Sequence, residues 1–228
     1  MSQNRRCIIL FARSPRAEEE AKRIRRGHRL FAHLRQRIAD AAAAVEGAEL
    51  VEITSEPAAG TGRWLPQRGD SFDVRLRNAF EDVRALGYSE VIAIPIDVPG
   101  IEARDLAEAF ELLASHDHVI GPSPDGGVYL IGMRRNPAAL FDGVHWNSSS
   151  VFSEMIANDG AAAVLRMLHD VDAATDLEAA LAEAVDPRTR SILFSLLAGS
   201  TGVDPAALSP PASREGEPRN GRAPPSGT

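Results

Sequence analysis

Five aspartates stand in settings where a carboxylate can do chemistry. Asp97 lies in IDVPG (96–100), where Pro99-Gly100 turns the chain just after the acid. Asp125 lies in PDGG (124–127), where two glycines let backbone come close to a ligand. Asp170, Asp172 and Asp176 crowd into HDVDAATD (169–176). Against these acids, residues 1–37 carry 11 Lys+Arg and 3 Glu, a balance of +8, while the rest of the chain carries −15. Oxygen ligands suit Mg²⁺ or Mn²⁺, and such an ion offsets charge developing on a phosphate leaving group. Acids at several strand ends and cations on a first loop are therefore the parts needed to hold a divalent metal on a diphosphate. Each acid also has a plainer reading: Asp125 as a turn residue, Asp97 as a turn starter, Asp176 as a helix-start acid favoured by the dipole.

Composition narrows the partners. A basic lip on an acidic body suits a compact anion better than a long nucleic acid, which the body would repel; a solvated basic helix face is the alternative. Of the 25 basic residues, 24 are arginine and one, Lys22, is lysine. A lysine ammonium serves phosphate as a point charge. The single cysteine, Cys7, excludes an internal disulfide framework. No apolar stretch approaches the ~20 residues that span a bilayer. Arg5-Arg6 before CIILFA imitates a signal peptide only faintly, with Arg13 and Arg16 following and no small-residue cleavage site. A cytoplasmic protein, with no membrane partner and no nucleic acid, is expected. No GxGxxG follows the first apolar run, and Walker-type, CxxC, HExxH and GxSxG patterns are missing.

The elements that must position the acids can be read from period and punctuation. RCIILFA (6–12), ELVEIT (49–54), EVIAIPID (90–97), HVIGP (118–122), VYLIGM (128–133) and LHDVD (168–172) predict strands. One or two helices are expected over 17–46, one from a Ser71 cap with Phe72, Leu76, Phe80 and Val83 on one face, and one over 102–115. VFSEMIANDGAAAVLRML (151–168) reads as helix broken at Asn158-Asp159-Gly160. Thr175 is a candidate cap for TDLEAALAEA (175–184), and 186–199 has an Asp cap, Pro in the first turn and Gly after the end. Strands alternating with helices predict one α/β domain over 1–200, a Rossmann-like three-layer α/β/α sandwich with a mostly parallel sheet. In such folds ligands gather at the carboxyl edge of the sheet. Residues 201–228, with six prolines and four glycines, read as a disordered tail.

Five stretches in order resemble a bacterial family of glycosyltransferase-A (GT-A)-like proteins, relatives of the nucleotide-diphospho-sugar transferases and small nucleotidyltransferases. They are FARSP (11–15), QRGDSFDVRLRNAF (67–80), IPIDVPG (94–100), GPSPDGGVYLIG (121–132) and LFDGVHW (140–146), with DVDAATDL (170–177) closing the domain. The resemblance implies a site, residue by residue. Asp97 matches the metal-binding acid of a DxD-type motif, and Asp172 the late aspartate that completes a Mg²⁺ or Mn²⁺ site. Arg13, Lys22 and Arg25 match first-loop cations on donor phosphates, with Gln67 and Arg75 from the second stretch also on the nucleotide. Asp125 would orient or deprotonate an acceptor hydroxyl, Gly126 and Gly127 would keep the backbone low beneath it, and Trp146 would wall the pocket or fill the core. Three functions follow from such a pocket: sugar transfer from a nucleotide-diphosphate donor to a small acceptor, nucleotidyl transfer with pyrophosphate release, or a catalytically silent nucleotide-binding or regulatory role on the same fold. The first loop, AEEEAKRIRRG (17–27), departs from the family's Gly and Lys-Thr-Arg-Leu pattern, and three glutamates beside a phosphate site are electrostatically odd unless they point to solvent.

Overall fold

A seven-residue run such as RCIILFA, apolar apart from its first residue, is stable as a strand only if both its faces are covered. β1 (Arg6–Ala12) is that strand: Ile8 and Leu10 enter one apolar core, Cys7, Ile9 and Phe11 the other. The computed structural model of the chain describes residues 5–56, 62–134 and 139–201. Around β1 run β2 (Ala48–Thr54), β3 (Arg63–Pro66), β4 (Glu90–Ile94), β5 (His118–Pro122), β6 (Val128–Met133) and β7 (Ala163–Val164). Among the described residues they form one seven-stranded sheet in the order β3-β2-β1-β4-β6-β5-β7. Every pairing is parallel except those of β6, which runs against β4 and β5.

Helices cover both faces. α2 (His28–Ala43), α4 (Ala103–Leu113), α6 (Leu177–Glu183) and α7 (Pro187–Thr201) close one core through residues such as Phe31, Phe110, Leu177 and Leu193. α3 (Phe72–Ala85) and α5 (Val151–Asn158) close the other through Phe80, Val83 and Met155. α1 (Pro15–Lys22) packs on α2 just after β1 ends. Among the described residues no helix is long and apolar enough to cross a membrane. Cys7 is fully buried, and burial pushes its thiol up to about 12, so it stays a neutral core residue.

Three expectations need correction. The helix expected beyond Gly160 is instead β7, a two-residue strand paired with β5. LHDVD is no ladder strand; it continues from β7 as extended chain, with Leu165, Leu168 and Val171 donating backbone N–H bonds to Ile120, Pro122 and Asp97 at 2.9, 3.2 and 2.9 Å. Thr175 does not cap α6. The Asp176 carboxylate takes the backbone N–H groups of Asp172 and Ala173 at 2.9 and 2.7 Å, the plain reading of that acid. Pro95 lies just past the end of β4 at Ile94, outside the ladder. Apart from Thr201, the segment expected to be a disordered tail lies outside the described residues.

Candidate functional site

Topology alone sends the acids to one edge. β4, β5 and β7 all deliver their chain to the carboxyl edge of the sheet, and β6 starts there because it runs backwards. Asp97 follows β4, Asp125 sits in the five-residue loop joining β5 to β6, and Asp170 and Asp172 follow β7. The backbone bond from Val171 N–H to Asp97 C=O fastens the last of these segments to the first at 2.9 Å. The β5–β6 loop is closed by Ser123 N–H to Gly127 C=O at 3.0 Å and Gly126 N–H to Ser123 C=O at 3.1 Å.

These segments enclose a cleft of about 440 Å³. Its polar floor is Asp97, Asp125, Asp170 and Asp172; its wall is Phe11, Phe72 and Trp146. The Trp146 ring is wedged between Phe72 and Phe141, with centroids 5.3 and 5.1 Å away. It is therefore both wall and core, joining the two alternatives the sequence left open. Each of Asp125, Asp170 and Asp172 offers a carboxylate oxygen, and these three lie within 4.8 Å of one another. The Asp125 Oδ1 is steadied by the Gly127 N–H at 2.9 Å, and an Asp170 oxygen by the buried Ser123 hydroxyl at 3.1 Å. Asp97 is 9% exposed and its Oδ1 has no hydrogen-bond partner. Within the protein that oxygen lacks the donor that a buried carboxylate oxygen needs. A hard divalent cation fits: the donors are all carboxylate oxygens, three of them grouped closely enough to share one ion.

Lys22 provides the cation the fold already has. Its Nζ donates to Asp97 Oδ2 at 2.5 Å, Asp172 Oδ1 at 2.5 Å and the Val171 carbonyl at 2.8 Å. Burial works against the ammonium, but the Asp97 and Asp172 carboxylates hold its pKa above the ordinary lysine value. The glutamates before it do not all face solvent. Glu18 is buried and clamps the β1–α1 turn, accepting from the Arg13 backbone N–H at 3.1 Å and its guanidinium at 3.4 Å. Burial and the Asp97 charge raise the Glu18 pKa. Glu19 clamps the α1–α2 turn through the N–H groups of Arg26 and His28 at 2.9 and 3.0 Å. Only Glu20 is exposed.

A model of the family described as "Uncharacterized protein conserved in bacteria (DUF2064)" matches residues 29–148, more than half of the chain. The chain belongs to this family. A comparison with curated proteins finds no match. Among solved structures, a candidate nucleotide-diphospho-sugar transferase from Desulfovibrio desulfuricans G20 superposes with a TM-score of 0.72 at 22% identity, over 88% of this chain and 96% of that one. CMP:2-keto-3-deoxy-manno-octonic acid synthetase complexed with CTP superposes at 0.54 and 15% identity, over 83% and 99%. A Mycobacterium tuberculosis H37Rv protein in complex with manganese gives 0.53 and 13%, over 78% and 98%. At such identities the likeness shows the fold, which is that of the sugar-transferase and nucleotidyltransferase relatives the motifs pointed to.

Seen in this family member, the remaining residues singled out in the sequence divide. Gly127 lines the cleft. Gly126 does not; it is needed because an added Cβ would sit 2.0 Å from the Ser149 carbonyl oxygen. Gln67 ties strand ends together, its amide donating to the Ala12 and Ile53 carbonyls at 3.0 and 3.2 Å. Arg25 is exposed on the turn after α1, and Arg75 is half-buried on α3; neither lines the cleft. Arg13 opens instead on a second hollow with Arg16, His28 and Arg35. Asp170 was noticed only as part of an acidic run. Its signal was the spacing to Asp172, two residues apart in extended chain, which places both side chains toward one side.

Asp170 also reports on the cleft's strain. Burial, then the charges of Asp97, Asp172 and Asp125, push its pKa to about 7. Because the folded pKa is raised, the native state keeps a proton that the unfolded chain gives up near pH 4, so stability falls as pH rises from about 4 to about 7. Asp170→Asn removes this loss. In metal-free buffer the variant should melt like the wild type at pH 4 and clearly above it at pH 8; equal melting temperatures at both would show that Asp170 carries no such penalty.

Proposed function

We propose that the cleft is the active site of a metal-dependent transferase that moves a sugar from a nucleotide-diphosphate donor to a small hydroxylated acceptor. The observation that carries this reading is the grouping of Asp125, Asp170 and Asp172 beside the partnerless Asp97 oxygen, under an aromatic wall at the carboxyl edge of the sheet. Asp125, Asp170 and Asp172 would hold Mg²⁺ or Mn²⁺. When bound, such an ion supplies charge stabilisation to a leaving diphosphate. Trp146 and Phe72 offer apolar faces against which a sugar ring packs. Asp97 Oδ1, the buried oxygen lacking a donor, accepts the acceptor's hydroxyl hydrogen and orients that nucleophile, a role the sequence had given to Asp125. Arg13, which lines the second hollow with Arg16 and Arg35, would offer positive charge to an anionic donor.

Nucleotidyl transfer is the second reading, favoured by the fold's likeness to a synthetase complexed with CTP. A thermal-shift panel separates the two. Free ligand at 100 times its dissociation constant stabilises by about 2.7 kcal/mol, about 5–10 °C for a chain of this size. UDP- or GDP-sugars with Mn²⁺ should give that shift under the first reading, and nucleoside triphosphates with Mg²⁺ under the second. No shift with any nucleotide, with or without ion, would overturn both and leave a silent relative.

A further inference from the structure

A lysine ammonium has three N–H donors and no acceptor. Those of Lys22 meet three protein acceptors at 2.5, 2.5 and 2.8 Å: two carboxylates, from the segments that follow β4 and β7, and one backbone carbonyl. Behind the ammonium lies the Phe31 ring, 5.8 Å away. The side chain is 8% exposed. No donor is left over for a phosphate. The backbone is built to keep it so. Arg23, in the left-handed conformation at φ 55°, ends α1 immediately after Lys22, its N–H returning to the carbonyls of Glu19 and Glu20. Glu18 and Glu19 hold the two ends of the helix to the turns on either side.

We infer that Lys22 is a built-in cation of the cleft: it fills the gap between Asp97 and Asp172 that would otherwise take a divalent ion, so the protein binds one metal, at Asp125, Asp170 and Asp172, and not two. This rests on the metal reading of the cleft given above. The geometry explains why this position alone is lysine in a chain with 24 arginines. Three acceptors converging on one point match a compact ammonium, whereas a planar guanidinium spreads its donors along a fork. It also changes the role of Lys22 from gripping donor phosphates to holding two acids at a fixed separation. Asp97 is thereby kept from the metal while its other oxygen stays free for a substrate hydroxyl.

The test is a count of bound Mn²⁺ by the electron paramagnetic resonance of the free ion, on the full chain. Wild type should bind one ion, and Lys22→Met two, the second lost again in Lys22→Met combined with Asp97→Asn. One ion in both wild type and Lys22→Met would overturn the inference and leave the metal reading standing; no ion in the wild type would overturn the metal reading, and the inference with it. Lys22→Met leaves two acids facing each other, so a measurement on the wild type guards against a variant that fails to fold. Because Lys22 is the only lysine, ¹⁵N-lysine labelling gives a single Nζ signal. Saturating Mg²⁺ should leave that signal in slow exchange with water; its collapse to a freely exchanging ammonium would show that the ion expels Lys22, and would overturn the inference.

Discussion

Asp172→Asn should weaken Mn²⁺ binding by about 100-fold or more while barely changing the melting temperature of the metal-free protein. The affinity estimate starts from the ~10–100-fold cost of losing a residue that merely supports a metal ligand; losing one of three carboxylates should cost at least the upper end. The stability estimate follows from exposure. The Asp172 side chain is 60% exposed, and its ion pair with Lys22 is therefore screened on one side by water. Lys22 keeps Asp97 and the Val171 carbonyl when Asp172 becomes an amide. Calorimetry with MnCl₂ and a thermal melt in chelator check the two halves separately. Unchanged Mn²⁺ affinity would remove Asp172 from the ion site.

Gly126→Ala should be among the most destabilising single substitutions at the cleft. At φ +88° an alanine is strained, which costs roughly 1–2 kcal/mol. Its Cβ would also lie 2.0 Å from Ser149 O, 2.8 Å from Ser149 C and 3.0 Å from Ser149 Cα, all backbone atoms that cannot rotate away. The β5–β6 loop and the loop that enters α5 meet here, and Phe152 N–H in the first turn of α5 donates to Gly126 C=O at 3.0 Å, so relieving the clash breaks that bond. Together these effects amount to roughly 3 kcal/mol, a fall in melting temperature of about 6–12 °C. Gly143→Ala is the control: φ is +64° there, but nothing lies within 4 Å of the added carbon. Denaturant unfolding of both compares strain with strain plus collision. Equal losses would show that the close approach of the two loops is not required. The larger loss should also loosen Mn²⁺ binding, because Asp125 sits on the loop that must move.

The sequence was most legible where burial is symmetrical. RCIILFA, HVIGP and VYLIGM were read with the bounds the strands have, because a strand covered on both faces is a continuous apolar run cut off by turn residues. β7 was missed because AAAVLRML has good helix formers and only its pairing with β5 makes Ala163–Val164 a strand. At the site, Asp97, Asp125 and Asp172 could be singled out because acids just past strand ends stand at the functional edge of such a sheet. What each touches could not. The two ion pairs of Lys22 join positions 75 and 150 residues apart, and no local pattern encodes a contact of that span. Lys22 was conspicuous as the lone lysine, and a phosphate was the natural partner for it; the structure offers carboxylates instead. Glu18 looked misplaced beside a phosphate site because the sequence does not show that it turns inward to hold Arg13.

The cleft's acids are the centre of this account, and locating an ion tests them most directly. A crystal of the protein soaked in MnCl₂ and measured at the manganese absorption edge should show one anomalous peak, coordinated by the carboxylates of Asp125, Asp170 and Asp172, with Lys22 still between Asp97 and Asp172. A saturated crystal with no peak at those three carboxylates would contradict it.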